Sequence, residues 1–245
     1  MIPAYIEARI RREPPVDAHV VPSSTPVVAF GDARIARVAT LGLNPSRVEF
    51  NDKAGVLLTG TKRRLATHAS LGVSDLGTAP SDAILQVLDD CNRYFQRQPY
   101  RQWFDQLEIV LRACGASYYD ETACHLDLVQ WATDPVWGKL QPPVRKKLIA
   151  DDAAFLADQL RNENIRLLLV NGMSVWKQLQ AALSRELIIE GEAVVGVDSY
   201  QPACLYYGSL FNKVQVVAWS TNLQSSFGVT TLFREELARR VAGVV

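Results

Sequence analysis

Three short apolar runs, at residues 38–43, 165–170 and 214–219, and a strand-like stretch at 122–131 constrain this chain more than any other feature. The runs IRLLLV and VQVVAW carry almost no polar alternation, so both faces of such strands must be covered. Between the runs, apolar residues recur at helical spacing. Residues 100–114 carry Trp103, Phe104, Leu107, Val110 and Leu111 on one stripe, and Gly115 stands where a C′ glycine ends a helix. Pro142-Pro143 opens a second helix through residue 162, with Leu148, Phe155, Leu156 and Leu160 on one side. Further helices are expected at 1–12, 81–94 (capped by Ser81-Asp82), 174–183 and 230–241. The expected fold class is α/β: a three-layer α/β/α sandwich around a central, mainly parallel four-stranded sheet. Residues 1–245 are read as a single domain. Its Pro-, Ser- and Val-rich segment 13–34 wraps the surface, so that 1–34 form an N-terminal extension packing on the rest. Residues 46–81 show little periodicity, and loops of that length in a compact domain are usually functional.

Composition removes several function classes. With 48% apolar and 21% charged residues the 245-residue chain is neither disordered nor fibrous. No run approaches the ~18 apolar residues of a membrane span. The opening MIPAYIEARIRREPP lacks the apolar core of a secretory signal. The 4 cysteines (Cys91, Cys114, Cys124, Cys204) include no C-x-x-C pair, so structural zinc and a disulfide framework are not expected. A cytoplasmic monomer without metal or cofactor is the expectation. The 26 basic and 26 acidic side chains balance, which argues against polyanion binding by bulk field and leaves room for a local basic patch. There is no G-x-S-x-G, P-loop or G-x-G-x-x-G motif.

In sheets of this kind ligands bind at the carboxyl ends of the strands. The residues to inspect are therefore Asn44, Asp127, Asn171 and the turn 220–226. Leu41-Gly42-Leu43-Asn44-Pro45-Ser46 resembles the first motif of the uracil-DNA glycosylase superfamily, a strand ending in Gly-x-(Asp/Asn/Ala)-Pro-(Tyr/Gly). Glu49 and the spaced Gly55-x-x-Leu58-x-Gly60 resemble the superfamily's loop bearing a stacking residue. The strand 124–131, with Asp127, stands where the superfamily has a strand-terminal Asn that reads the base. The turn Ser220-Thr221-Asn222-Leu223-Gln224-Ser225 after VVAW occupies the place of its C-terminal turn. The order of these motifs over residues 38–226 carries the resemblance. No cluster-binding cysteine pattern of the iron–sulfur branches is present.

The resemblance implies an enzyme that flips a nucleotide out of the stack, hydrolyses its N-glycosidic bond and leaves an abasic site. It assigns Asn44 to holding the attacking water; otherwise Asn44 starts an ordinary Asn-Pro turn. Ser46 replaces the tyrosine that blocks the pyrimidine C5 position in the strict uracil branch, and is otherwise a turn serine. Asp127 departs from the family Asn. An ionised Asp is acceptor-only and meets uracil O4 unfavourably, whereas a protonated Asp complements the N4–H and N3 of cytosine. Normal cytosine cannot be the target, so Asp127 with Ser46 points to a 5-substituted cytosine. The alternative is that Asp127 pairs with an arginine and His125, two residues earlier on the same strand face, reads the base; a lone strand histidine is more often structural.

Leu58 stands at the stacking position and Phe50 is its possible replacement, although an aromatic so near a motif is more often core. Lys62, Arg63 and Arg64 lie where the DNA backbone would run. Ser220, Thr221, Asn222 and Gln224 are candidates for contacts to phosphate or departing base, or form a polar loop before a helix. The family's C-terminal histidine is missing, with Trp219 near its place. The expectation is a monofunctional DNA glycosylase acting on hydroxymethylated or glucosylated cytosine, as in phage DNA, in an antiviral role. Two alternatives are a repair glycosylase for uracil or another deaminated base, and a non-catalytic nucleic-acid-binding module. DNA is the expected partner and no membrane is.

Overall fold

The computed structural model describes residues 2–196, 202–224 and 228–245. Among them the helices are α1 (Ala4–Arg11), α2 (His68–Leu71), α3 (Ser81–Asn92), α4 (Arg101–Ala113), α5 (Pro142–Asn162), α6 (Met173–Ala182) and α7 (Thr231–Ala242). The strands are β1 (Val38–Gly42), β2 (Ala123–Asp127), β3 (Leu167–Asn171), β4 (Leu187–Val195), β5 (Ala203–Leu210) and β6 (Val214–Trp219). They form one mixed, 6-stranded sheet in the order β2-β1-β3-β6-β5-β4. β1, β3 and β6 are parallel, with Val38 opposite Leu167 and Leu167 opposite Gln215. β5 runs antiparallel to both β6 and β4.

The protein is thus α/β, but the expected four-stranded sheet is corrected to a six-stranded mixed one. The four stretches read as strands form the contiguous part β2-β1-β3-β6. The antiparallel pair β4–β5 escaped because β4 is largely exposed and carries Glu190, Gly191 and Glu192 in its middle. A strand solvated on one side does not show the continuous apolar run of an inner strand. Its glycines serve the pairing. A Cβ on Gly208 would lie 2.1 Å from the Ile188 carbonyl oxygen, and one on Gly191 would lie 2.5 Å from the Tyr207 ring. Register shifts between Ile189 and Gly191, as a bulge does.

The helix boundaries follow local chemistry. α4 ends in a Schellman motif: the Ala116 N–H donates to Leu111 O (2.9 Å) and Gly115, at φ +71°, donates to Arg112 O (3.1 Å). α3 starts one residue earlier than a Ser81 cap requires. Pro80 holds the N-cap position and no side chain caps it. Within residues 46–81, Thr67 and Ser70 form a reciprocal capping box on the one-turn helix α2.

Contacts divide the described residues into two compact units. The first comprises Met1–Asp32, Leu43–Pro99 and Leu126–Asp158; the second comprises Ala33–Gly42, Tyr100–His125 and Gln159–Val245. In the first, Ala18, Val129, Trp131, Leu140 and Leu148 form a buried cluster. Beside it lies a charged network in which Asp152 accepts from Arg9 Nη2 (3.1 Å), Arg12 Nη2 and the Gln130 N–H (2.9 Å). In the second, α6 packs on β3 and β6, and α4 packs on α7. Among the described residues no helix is long and apolar enough to cross a membrane.

Candidate functional site

Two strand-end loops meet in the first unit. Val129 N–H donates to Leu43 O (2.9 Å), and Ser46 bridges to Thr133. Asn44 fastens the pair: its Nδ2 donates to Trp131 O (3.1 Å) and to Thr133 Oγ1 (3.2 Å). A carbonyl oxygen only accepts, so these partners fix the orientation of the amide. Both amide hydrogens are engaged, and Oδ1 is left as the accepting atom of a half-buried side chain.

Below Asn44, the 3₁₀ turn Arg47–Glu49 sends a carboxylate into the interior. Glu49 is 2% exposed. Its Oε2 accepts from the Tyr94 hydroxyl at 2.6 Å and lies 3.9 Å from Arg64 Nη1. Burial pushes the Glu49 carboxyl up to about 7; the Tyr94 hydrogen bond and the Arg64 charge oppose this, and the negative charge of Asp127 adds to it. Asp127 is buried at the end of β2, and its backbone carbonyl accepts from Gln130 Nε2 (2.8 Å). The first unit therefore holds two buried carboxyl groups, Glu49 and Asp127, and an oriented amide, Asn44. Buried carboxyls with a raised pKa, as Glu49 has, cluster at functional sites. No family model matches this chain, and no curated protein sequence matches it.

Glu49 is the residue that sequence reasoning passed over as a role. In the sequence it marks the loop that resembles the superfamily's, without a role of its own, and nothing there reveals its burial or its Tyr94 partner. Ser46 caps the 3₁₀ turn, accepting from the Val48 N–H at 3.4 Å. Phe50 is fully buried, so it sits in the core rather than at a surface for stacking. Leu58 is half-buried and donates its N–H to Phe50 O (2.7 Å), closing a tight loop with an exposed tip at residues 52–56.

The basic run divides. Lys62 is exposed. Arg63 Nη1 donates to Asp90 Oδ2 (2.6 Å) and Ser70 Oγ (3.0 Å), and Arg64 Nη1 donates to Val48 O (2.8 Å). These two guanidinium groups brace the loop from inside, which departs from the backbone-contact role the sequence suggested.

The other candidates lie in the second unit. His125 is buried; its Nδ1 is 2.6 Å from Thr40 Oγ1, which also bonds the Tyr118 hydroxyl, and its ring meets Phe104 edge-on at 5.3 Å. It is a satisfied core histidine, so the base-reading alternative for it is withdrawn. The C-terminal turn is organised by Asn171. Its Oδ1 accepts from Trp219 Nε1 (2.9 Å) and the Leu223 N–H (3.0 Å), while Nδ2 donates to Asn222 Oδ1 and Gln224 Oε1 (2.9 Å each). Gln224 Nε2 donates onward to Trp103 O (3.3 Å), and Ser220 Oγ accepts from the Cys204 N–H (2.9 Å). Ser220, Asn222 and Gln224 thus hold the turn together, whereas Thr221 is a half-buried position between them. Ser225 and Ser226, the end of the expected turn, lie outside the described residues. Among the described residues no group of three or more His, Cys, Asp or Glu side chains is placed to hold a metal ion.

Proposed function

We propose that the chain is a DNA glycosylase of the uracil-DNA glycosylase type, acting on a flipped-out 5-substituted cytosine and leaving an abasic site. In this reading β2-β1-β3-β6 are the central strands of that superfamily's three-layer sandwich. The observation that carries it is Asn44 at the end of β1, both amide hydrogens bound, with Oδ1 left to accept from a water. Hydrolysis of an N-glycosidic bond passes through an oxocarbenium-like sugar, and the reaction depends on a water held at C1′ and on stabilising the departing base. An amide orients water but takes up protons poorly, so the enzyme is expected to be slower than one with Asp at this position.

Asp127 reads the base. An ionised carboxylate faces uracil O4 with like polarity, and an unmatched buried polar pair costs about 1–3 kcal/mol. Asp127 is buried at the end of β2, and in its protonated form it carries a hydroxyl donor beside a carbonyl acceptor, the complement of the cytosine edge. Hydroxymethylated and glucosylated cytosines occur in phage DNA, and an antiviral role follows from that substrate class.

The test is a panel of duplexes bearing uracil, hydroxymethylcytosine, glucosylated hydroxymethylcytosine or cytosine, scored for alkali-labile sites. Abasic sites confined to a modified cytosine, and reduced about 10²-fold or more in Asn44→Ala, are the expected result. Cleavage at uracil alone selects the repair enzyme and overturns the role of Asp127. Tight DNA binding without abasic sites selects a binding module.

A further inference from the structure

We propose that Arg234 holds a phosphate of the DNA backbone beside the turn that follows β6. This rests on the glycosylase reading above and adds a grip on DNA in the second unit. Arg234 is half-buried in the first turn of α7. Its Nη2 donates to Leu223 O (3.3 Å), while Nε is buried and finds no acceptor among the described residues. No carboxylate among the described residues pairs with it. Further along the same helix, Arg239 and Arg240 both pair with Glu236, at 2.7 and 2.9 Å.

The fold gives this cation little in return. The acceptors on either side of Leu223 are already engaged: Asn222 Oδ1 and Gln224 Oε1 each accept from Asn171 Nδ2 (2.9 Å), and Asn222 Oδ1 also accepts from the Gln224 N–H (3.0 Å). A positive charge in the first turn of a helix opposes the helix dipole, and the first turn of α7 holds no acidic residue to offset it. A buried donor without an acceptor is unfavourable in itself. These features coincide at the carboxyl end of β6, where ligands of such a sheet bind.

An anion supplies the counter-charge and the acceptors that this guanidinium lacks, and a helix N-terminus favours it as well. For a chain that acts on DNA, that anion is a backbone phosphate, whose oxygens a planar guanidinium meets two at a time. Such a contact positions the nucleic acid and carries no sequence information, so Arg234 acts on every duplex alike. Asn222 and Gln224, which the sequence suggested as DNA contacts, instead hold the turn whose Leu223 carbonyl orients Arg234.

The experiment titrates the full chain onto labelled duplexes with and without hydroxymethylcytosine, at salt concentrations from about 50 to 200 mM. Arg234→Gln is expected to lower the slope of log affinity against log salt by about 0.9, the share of one phosphate. It should weaken both duplexes alike, by about 5- to 10-fold near 0.1 M salt. Arg239→Gln removes a charge from the same helix that Glu236 already pairs, and is expected to leave the slope unchanged. An unchanged slope in Arg234→Gln, or an equal fall in Arg239→Gln, overturns the proposal and leaves the glycosylase reading standing. If urea unfolding shows that Arg234→Gln does not fold, Arg234→Lys decides. It keeps the charge and loses the planar fork, so the slope stays while both duplexes bind more weakly; wild-type affinity in that variant overturns the proposal. A wild-type chain that binds neither duplex at any salt concentration overturns both.

Discussion

At the scale of single residues, Glu49 makes a statement about stability as well as about chemistry. Its carboxyl is raised from 4.5 to about 7 in the folded state. Below pH 4.5 folded and unfolded chains both hold the proton. Between 4.5 and about 7 only the folded chain does, so stability falls as pH rises through that window and levels off above it. The shift corresponds to a loss of about 3 kcal/mol. Urea unfolding of Glu49→Gln should show that slope removed; a wild-type slope in the variant would mean the burial of Glu49 is not what sets it. Thr40 gives a second test. Its hydroxyl bonds both Tyr118 and His125, so Thr40→Val leaves two buried polar groups without that partner and should cost about 1–3 kcal/mol, read from the unfolding midpoint. Sequence order singled out Asn44 and Asp127 as candidates because strand ends are where ligands bind. It gave Glu49 no role, because its raised pKa comes from burial, and its hydrogen-bond partner Tyr94 lies 45 residues away; neither is written in the local pattern.

At the scale of elements, the turn after β6 is held by one amide that uses all of its hydrogen-bonding capacity on four partners. Asn171→Ala would orphan the Trp219 indole N–H and the Leu223 N–H, and should cost about 2–4 kcal/mol, measured by urea unfolding. Gly172 adds a steric constraint. Its φ is +96°, and a Cβ there would sit 3.3 Å from the Cβ of Asn222, so Gly172→Ala should destabilise by about 1–2 kcal/mol even though no polar atom is lost. The sequence left this turn open between contacts to DNA and a polar loop before a helix; the hydrogen bonds that Asn171 makes to Asn222 and Gln224 are not written in the local pattern. The strands tell the same story in reverse. β1, β3 and β6 were legible because strands covered on both faces must be continuously apolar. β4 and β5 were not, since an exposed pair mixes Glu, Gly and Tyr, and its glycines are chosen for close cross-strand approach to Ile188 and Tyr207 rather than for pattern.

At the scale of the whole molecule, the chain builds each compact unit from three separate segments, so no single cut yields either one. The N-terminal residues illustrate the consequence. Read from composition, 1–34 are an extension, yet α1 contributes Arg9 to the interior of the first unit. Arg9 donates Nε to Gln130 Oε1 (3.1 Å) and Nη2 to Asp152 Oδ2 (3.1 Å), and its guanidinium lies 4.8 Å over the Trp131 ring. Burial, reinforced by the charge of Arg12, strongly disfavours a cation at Arg9. The Asp152 carboxylate is what makes it tolerable. Gln130 then links this network to the backbone carbonyl of Asp127, and Trp131 O holds Asn44. Removing one partner of a buried ion pair costs more than removing both, because the survivor's charge is left unpaired. Asp152→Asn should therefore destabilise by about 3–5 kcal/mol, while Arg9→Met combined with Asp152→Leu recovers part of that loss. Urea midpoints for Arg9→Met, Asp152→Leu and the double variant measure the coupling. Additive losses would mean that Arg9 and Asp152 act independently, and that α1 contributes packing alone.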